Sequence, residues 1–198
     1  MRRMEAMLRA IEFDINVALW DEAVLEKDND IIRGLEDRQI DGASVYNVIH
    51  QGLAADLSVT LWRLYDLGSK RFKPNKRETS SIPLLIRLVR QKRCTDYYID
   101  QAKNWSSAYS CSELDAHSCE QAIKKAVETY NSPMKGRGPS SFKKLQAIRN
   151  YRIAHRKIDD VNKCFLRYKD LFEIIEPAVI ITENLKLATT GHNLSLAE

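Results

Sequence analysis

A chain of 198 residues and 22.8 kDa suits one domain. With 44% hydrophobic residues, it can bury a core that hides roughly 70% of the unfolded surface. Seven glycines and five prolines are too few for the frequent turns of a sandwich or barrel, so long helices are expected. A net charge of +4 does not by itself call for a nucleic acid. No 18-residue apolar run exists to span a bilayer, which predicts a soluble, cytoplasmic protein without a membrane partner.

Residues 1–26 read as a helix, with Met4, Met7, Leu8, Ile11, Ile15, Ala18 and Leu19 at a period near 3.6 and Glu22 among them. Lys27-Asp28-Asn29-Asp30 reads as a break that caps a short helix over 31–39, and Gly42 as a turn. Residues 1–40 are thus set apart as an N-terminal helical extension. From 43 to 67 the positions Val45, Val48, Ile49, Leu53, Leu57, Leu61, Leu64 and Tyr65 outline a long helix carrying His50, with Gly68 as its C-cap. Residues 69–80 form a basic loop around one aromatic, Phe72.

Ser81 and Pro83 start the next helix, a hydroxyl cap followed by proline in the first turn, where its missing N–H costs nothing. That helix runs to the basic end Arg90-Gln91-Lys92-Arg93. Less regular structure follows to 112. A helix from Ser112 to about Tyr130 turns Leu114, Cys119, Ala122, Ile123, Ala126 and Val127 inward. Residues 131–141, with Pro133, Gly136, Gly138 and Pro139, form a basic loop, but no G-x-x-x-x-G-K-[ST] phosphate cradle is present. The last helix covers about 161–188, kinked or split at Pro177, and 189–198 is a flexible tail. The fold expected is all-α: a single helical bundle of about six to eight helices over residues 1–198.

Charge is unevenly distributed. Residues 20–41 carry 3 basic and 8 acidic groups, residues 68–93 carry 9 and 1, and residues 133–160 carry 8 and 2. Two basic blocks meeting in the fold would attract phosphates; apart, they are solvated loops. The cysteines, 94, 111, 119 and 164, have no C-x-x-C pair. Cys111, His117 and Cys119 lack a fourth ligand at a usual spacing, so free thiols and no metal are expected.

The most informative string is Arg149-Asn150-Tyr151-Arg152-Ile153-Ala154-His155, which closes an amphipathic segment (Phe142, Leu145, Ile148) and precedes the charged break 156–160. It resembles the R-N-x4-H signature of the HEPN superfamily, helical domains that are often metal-independent ribonucleases. The surrounding form looks most like the abortive-infection, AbiU-type branch. A second block agrees: Leu61-Trp62-Arg63-Leu64-Tyr65-Asp66, then Ser81-Ile82-Pro83-Leu84-Leu85, is similar to a block preceding the motif in that branch. The two span roughly residues 40–190.

That resemblance implies a HEPN-type bundle and an endoribonuclease acting without cofactor, as a toxin or in anti-phage defence. Arg149, Asn150 and His155 would be catalytic. Lys135, Arg137, Arg152, Arg156 and Lys157 would border the RNA, with residues 69–77 as an outer contact. Positions six apart on a regular helix differ by about 9 Å along the axis and about 120° around it. Arg149 and His155 therefore do not meet on one unbroken helix. The resemblance implies a homodimer whose two motifs share a groove. It also admits an antitoxin or nucleotidyltransferase partner, with Tyr151 as acceptor, and the alternative of a non-catalytic RNA- or protein-binding module.

Overall fold

The computed structural model describes residues 2–34, 42–68, 79–106, 111–134, 140–148, 167–193 and 195–196. Among them are seven helices and no strand, so the expected all-α bundle is what forms. The helices are α1 (Arg2–Gly34), α2 (Ala43–Leu64), α3 (Ile82–Val89), α4 (Lys92–Ala102), α5 (Ser112–Met134), α6 (Ser140–Ile148) and α7 (Tyr168–Thr190). None of the described helices is long and apolar enough to cross a membrane.

The bundle is organised around α7, which packs against each of the other six helices. Its sequence explains this place. Leu171, Ile174, Ile175, Ala178, Val179, Ile181, Leu185 and Ala188 are buried, and they cover more than one helical face. The helix continues through Pro177, so the expected split does not occur; Ile174, Ile175, Ala178 and Val179, buried on either side of the proline, hold the two halves against the bundle. Gly191 closes it in the left-handed region (φ 73°), and a Cβ there would lie 2.8 Å from the Trp105 ring.

α1 differs most from expectation. It is one helix of 33 residues, about 50 Å long, and it continues through Lys27-Asp28-Asn29-Asp30, where a break was expected. Asp and Asn favour caps because they bond local backbone. Here Asp28 is engaged by α2 instead, 3.0 Å from His50 Nε2. The residues set apart as an extension also supply core: Met4, Met7, Leu8, Ile11, Ile15, Ala18 and Leu25 are buried against α2, α3 and α7. At the other terminus, Leu196 packs on the core and its N–H donates to Glu183 Oε1 of α7 at 2.9 Å.

Other boundaries move for local reasons. α2 ends at Leu64 with Tyr65 as its cap, three residues before Gly68, the C-cap expected, whose φ is positive (62°). Ser81 is the N-cap of α3, as expected, but its hydroxyl makes no capping bond. The Ser81 carbonyl instead accepts from the N–H groups of Leu84 and Leu85. Arg90 and Gln91 separate α3 from α4, and the Arg90 guanidinium donates across to Asn131 Oδ1 of α5 at 2.6 Å. On α5, Cys119, Ala122, Ile123 and Ala126 face inward as expected, but Leu114 is exposed and Ala116 is buried in its stead.

Glu22 sits on the core face of α1 and is half-buried. Burial, and then the neighbouring Glu26, push its carboxyl from 4.5 up to about 7. The folded state therefore holds this proton more tightly than the unfolded chain does, and stability falls as pH rises from about 4.5 to about 7. After discounting for the solvent that still reaches the group, the penalty above pH 7 is about 1 kcal/mol. Glu22→Gln should raise Tm by about 2–4 °C at pH 8 and leave it unchanged at pH 4, as thermal unfolding would measure. An equal shift at both pH values would show that ionisation is not the cause.

Candidate functional site

The candidate catalytic residues Arg149, Asn150 and His155 lie outside the described residues, as do Lys135, Arg137, Arg152, Arg156, Lys157 and the 69–77 loop. The structure does define the frame that receives residues 149–166. α6 leads into this segment and α7 follows it. Ser141 Oγ donates to Glu173 Oε2 (2.9 Å), and Lys144 Nζ donates to both Asp170 oxygens (2.8 and 2.9 Å). These pairs run in opposite directions along the two helices. The antiparallel register brings Ile148, the last residue of α6, level with the start of α7. The segment thus leaves and rejoins the described fold at one corner.

That corner is tightly held. The Asp170 carboxylate accepts from the Arg167 N–H at 2.9 Å, capping α7. The Lys144 hydrogen bond, supported by the Arg167 contact, holds the Asp170 carboxyl below its usual range. Phe142 stands edge-on to Tyr65, ring centroids 4.6 Å apart, and the buried Tyr65 hydroxyl donates to the Ile174 carbonyl. Lys144 belongs to the 133–160 basic block, so part of that block's charge is engaged in structure.

A second constellation at the same corner was not singled out in the sequence. His50, 6% exposed, lies between three partners. Its Nε2 is 3.0 Å from Asp28 Oδ2 and 3.1 Å from the Tyr46 hydroxyl, and its Nδ1 is 3.2 Å from the Tyr168 hydroxyl. With Nε2–H donating to Asp28 and the Tyr168 O–H donating to Nδ1, both ring nitrogens are satisfied. The network ties α1, α2 and the first residue of α7 together. Only the i, i+4 spacing of Tyr46 and His50 is visible in sequence; Tyr168 is 118 residues from His50. Beside it, Glu26, Asn29, Asp30, Arg33, Tyr168, Lys169 and Phe172 line an open cleft of about 570 Å³. Its charges are balanced, so the described part of this corner is not a basic groove.

The second sequence block falls elsewhere. Leu61, Leu64 and Tyr65 are core. Arg63 donates to Asp14 at 2.7 Å, and Asp66 accepts from the Gly68 N–H at 3.1 Å. Trp62, Arg63 and Asp66 line a cleft of about 450 Å³ with Phe13, Asp14 and Ser80. Residues Ser81–Leu85 are buried. The block is chiefly architecture.

Cys94 and Cys119 are buried and Cys111 partly so. Cys119 Sγ faces the Ala188 carbonyl at 3.4 Å, and burial, then Glu120, push its thiol up to about 11. It is therefore a poor nucleophile or metal ligand at neutral pH. Among the described residues, no three His, Cys, Asp or Glu side chains gather around a common point.

Compared with known protein families, residues 3–198 match the family model described as AbiU2, of the HEPN group. No curated protein and no solved structure matches the chain.

Proposed function

Because the chain belongs to the AbiU2 family of HEPN domains, we propose that it is a metal-independent endoribonuclease acting as a toxin or anti-phage effector. HEPN domains are often ribonucleases, and the family name points to abortive infection. The observation that carries the finer reading is the string Arg149-Asn150-x4-His155 within the matched span. The closed corner of α6 and α7 supports it, because a clamped frame gives a short reactive segment fixed ends.

In this reading, His155 of one copy takes the proton of a ribose 2′-hydroxyl. The oxygen then attacks phosphorus, the P–O5′ bond breaks, and the His155 imidazolium of a second copy protonates the leaving oxygen. Arg149 holds the non-bridging oxygens and offsets the charge of the pentavalent transition state. Asn150 orients the histidine or the phosphate through its amide. Products carry 2′,3′-cyclic phosphate and 5′-hydroxyl ends. A homodimer is needed because one chain brings one motif histidine. An antitoxin or nucleotidyltransferase partner would act on the same string, with Tyr151 as acceptor.

Incubating the protein with RNA in EDTA tests this reading. Cleavage should persist, and the fragments should accept 5′-phosphate from a kinase without prior phosphatase treatment. Loss of activity in EDTA, or 5′-phosphate products, would overturn it. RNA binding without cleavage would turn the reading to a non-catalytic module.

Lys135, Arg137, Arg152, Arg156 and Lys157 are proposed to border the RNA. Arg156→Glu with Lys157→Glu should weaken binding and reduce the salt slope by about 1.4, two single-strand phosphate contacts' worth of released counterions. An unchanged slope would remove both from the footprint.

A further inference from the structure

α1 is apolar on two opposite faces. One face is the core row of Met4, Leu8, Ile11, Ile15, Ala18 and Leu25. Phe13, Trp20, Val24 and Ile31 lie within about 40° of one another around the helix and about 180° from that row. They are exposed: Phe13 by 67%, Trp20 by 78%, Val24 by 45% and Ile31 by 50%. With half-buried Val17, and with Ala10 ahead of them, they follow an alternating 3–4 spacing from 10 to 24, the a and d positions of a heptad seam, which Lys27 interrupts once before Ile31. The seam continues onto α2. The contacts Asp28–His50 and Asp14–Arg63 set α1 and α2 antiparallel, which puts Ile31 and Ile32 beside Val45 and Tyr46. Val45, Val48 and Ile49, part of the apolar pattern that outlined α2, are 63%, 69% and 56% exposed.

Among the described residues, eight of the eleven large exposed hydrophobic side chains belong to this hairpin. Their exposed areas sum to on the order of 900 Å². This sum matches the roughly 800 Å² that each partner contributes to a stable interface.

We propose that this face is a two-fold interface at which α1 pairs antiparallel with α1 of a second copy. The seam complements itself in that orientation and no segment of different chemistry is needed. Placing the axis between Val17 and Trp20 sets Phe13 against Val24 of the other copy and Trp20 against Val17, large against small in each layer. On the flank away from α2, the same register sets Arg9 of each copy against Asp30 of the other, opposite charges at facing positions. On the α2 flank, Asp14 and Asp28 are already answered by Arg63 and His50, and Asp21, which this register sets near Asp14 of the other copy, is buried. The geometry also fixes where the corners that receive residues 149–166 stand. His50 is opposite Asp28, about 14 Å along α1 from the axis, so the two corners lie about 28 Å apart along the pair. This interface does not depend on the ribonuclease reading and would serve a non-catalytic domain equally.

Sedimentation equilibrium of the full chain tests it. The wild type should be a dimer, and Trp20→Asp should raise the dimer Kd by at least about 30-fold, as loss of a central anchor does. Circular dichroism should be unchanged, because the side chain is exposed. Arg9→Asp and Asp30→Arg should each weaken the dimer, and the double exchange should restore it. That rescue is specific to the antiparallel register. A monomeric wild type at 100 µM (about the working range), a dimer indifferent to Trp20→Asp, or a charge exchange without rescue would each overturn the proposal. RNA cleavage by the same variants separates the two readings. A monomeric Trp20→Asp protein that still cuts RNA would remove the shared groove and leave this interface standing.

Discussion

Replacing His155 by alanine is expected to lower RNA cleavage by at least about 10³-fold, and replacing Arg149 by a similar factor. The histidine's proton transfer accounts for about 10²–10⁴ of such a reaction. Electrostatic stabilisation by one well-placed donor is worth about 10²–10³. The two losses should not add, because residues that act as a unit fail together. The double variant should be about as slow as either single one. Arg149→Lys should recover little, since an ammonium cannot hold two phosphate oxygens in a fixed fork. Fold and association serve as controls: α6, α7 and their Lys144–Asp170 clamp lie outside the replaced positions, so helicity and dimer mass should not move. Cleavage at the wild-type rate by His155→Ala would shift the assignment to a binding module.

Removing residues 1–34 is expected to unfold the protein. By sequence, α1 falls in an extension; in the structure it lends six large side chains, Met4, Met7, Leu8, Ile11, Ile15 and Leu25, to the core. At about 1.5–3 kcal/mol each, their burial is on the scale of the whole stability of a domain, about 5–15 kcal/mol. The loss would also uncover apolar surface on α2 and α7 and strip the acceptors of Arg63, His50 and Lys186. A single substitution measures the same dependence in a protein that still folds. Ile15 is 0% exposed, and Ile15→Ala should cost about 2–5 kcal/mol, a fall in Tm of about 5–15 °C for a chain of this size. Cooperative unfolding and native helicity after the deletion would show that the bundle stands without α1.

Family membership and fold class are both legible in the order of the residues. A three-to-four-residue apolar period, scarce glycine and proline, and two ordered blocks of residue types suffice for them, because these properties are local or compositional. The start of α3 is legible too, since proline in a first turn has one geometric meaning. The extent of α1 is not. Lys27-Asp28-Asn29-Asp30 has the composition of a break, and the contact that engages Asp28 comes from His50, brought near by the α2 hairpin. Leu114 misleads in the same way: its position on α5 is apolar, but Ala116 is the residue that meets the bundle.

The sequence by itself determined which helices could exist, which family they belong to, and which residue types are available for phosphate chemistry. Those follow from near-neighbour spacing, which the chain carries with it. Tertiary structure alone decided which apolar face is core and which is left open. Periodicity reports that a face is apolar but not what covers it, so the outward row of Phe13, Trp20, Val24 and Ile31 is hidden beside the equally periodic core row. It also decided that His50, Asp28, Tyr46 and Tyr168 form one network. A hydrogen bond between residues 118 apart depends on how α1, α2 and α7 dock, which no local spacing records.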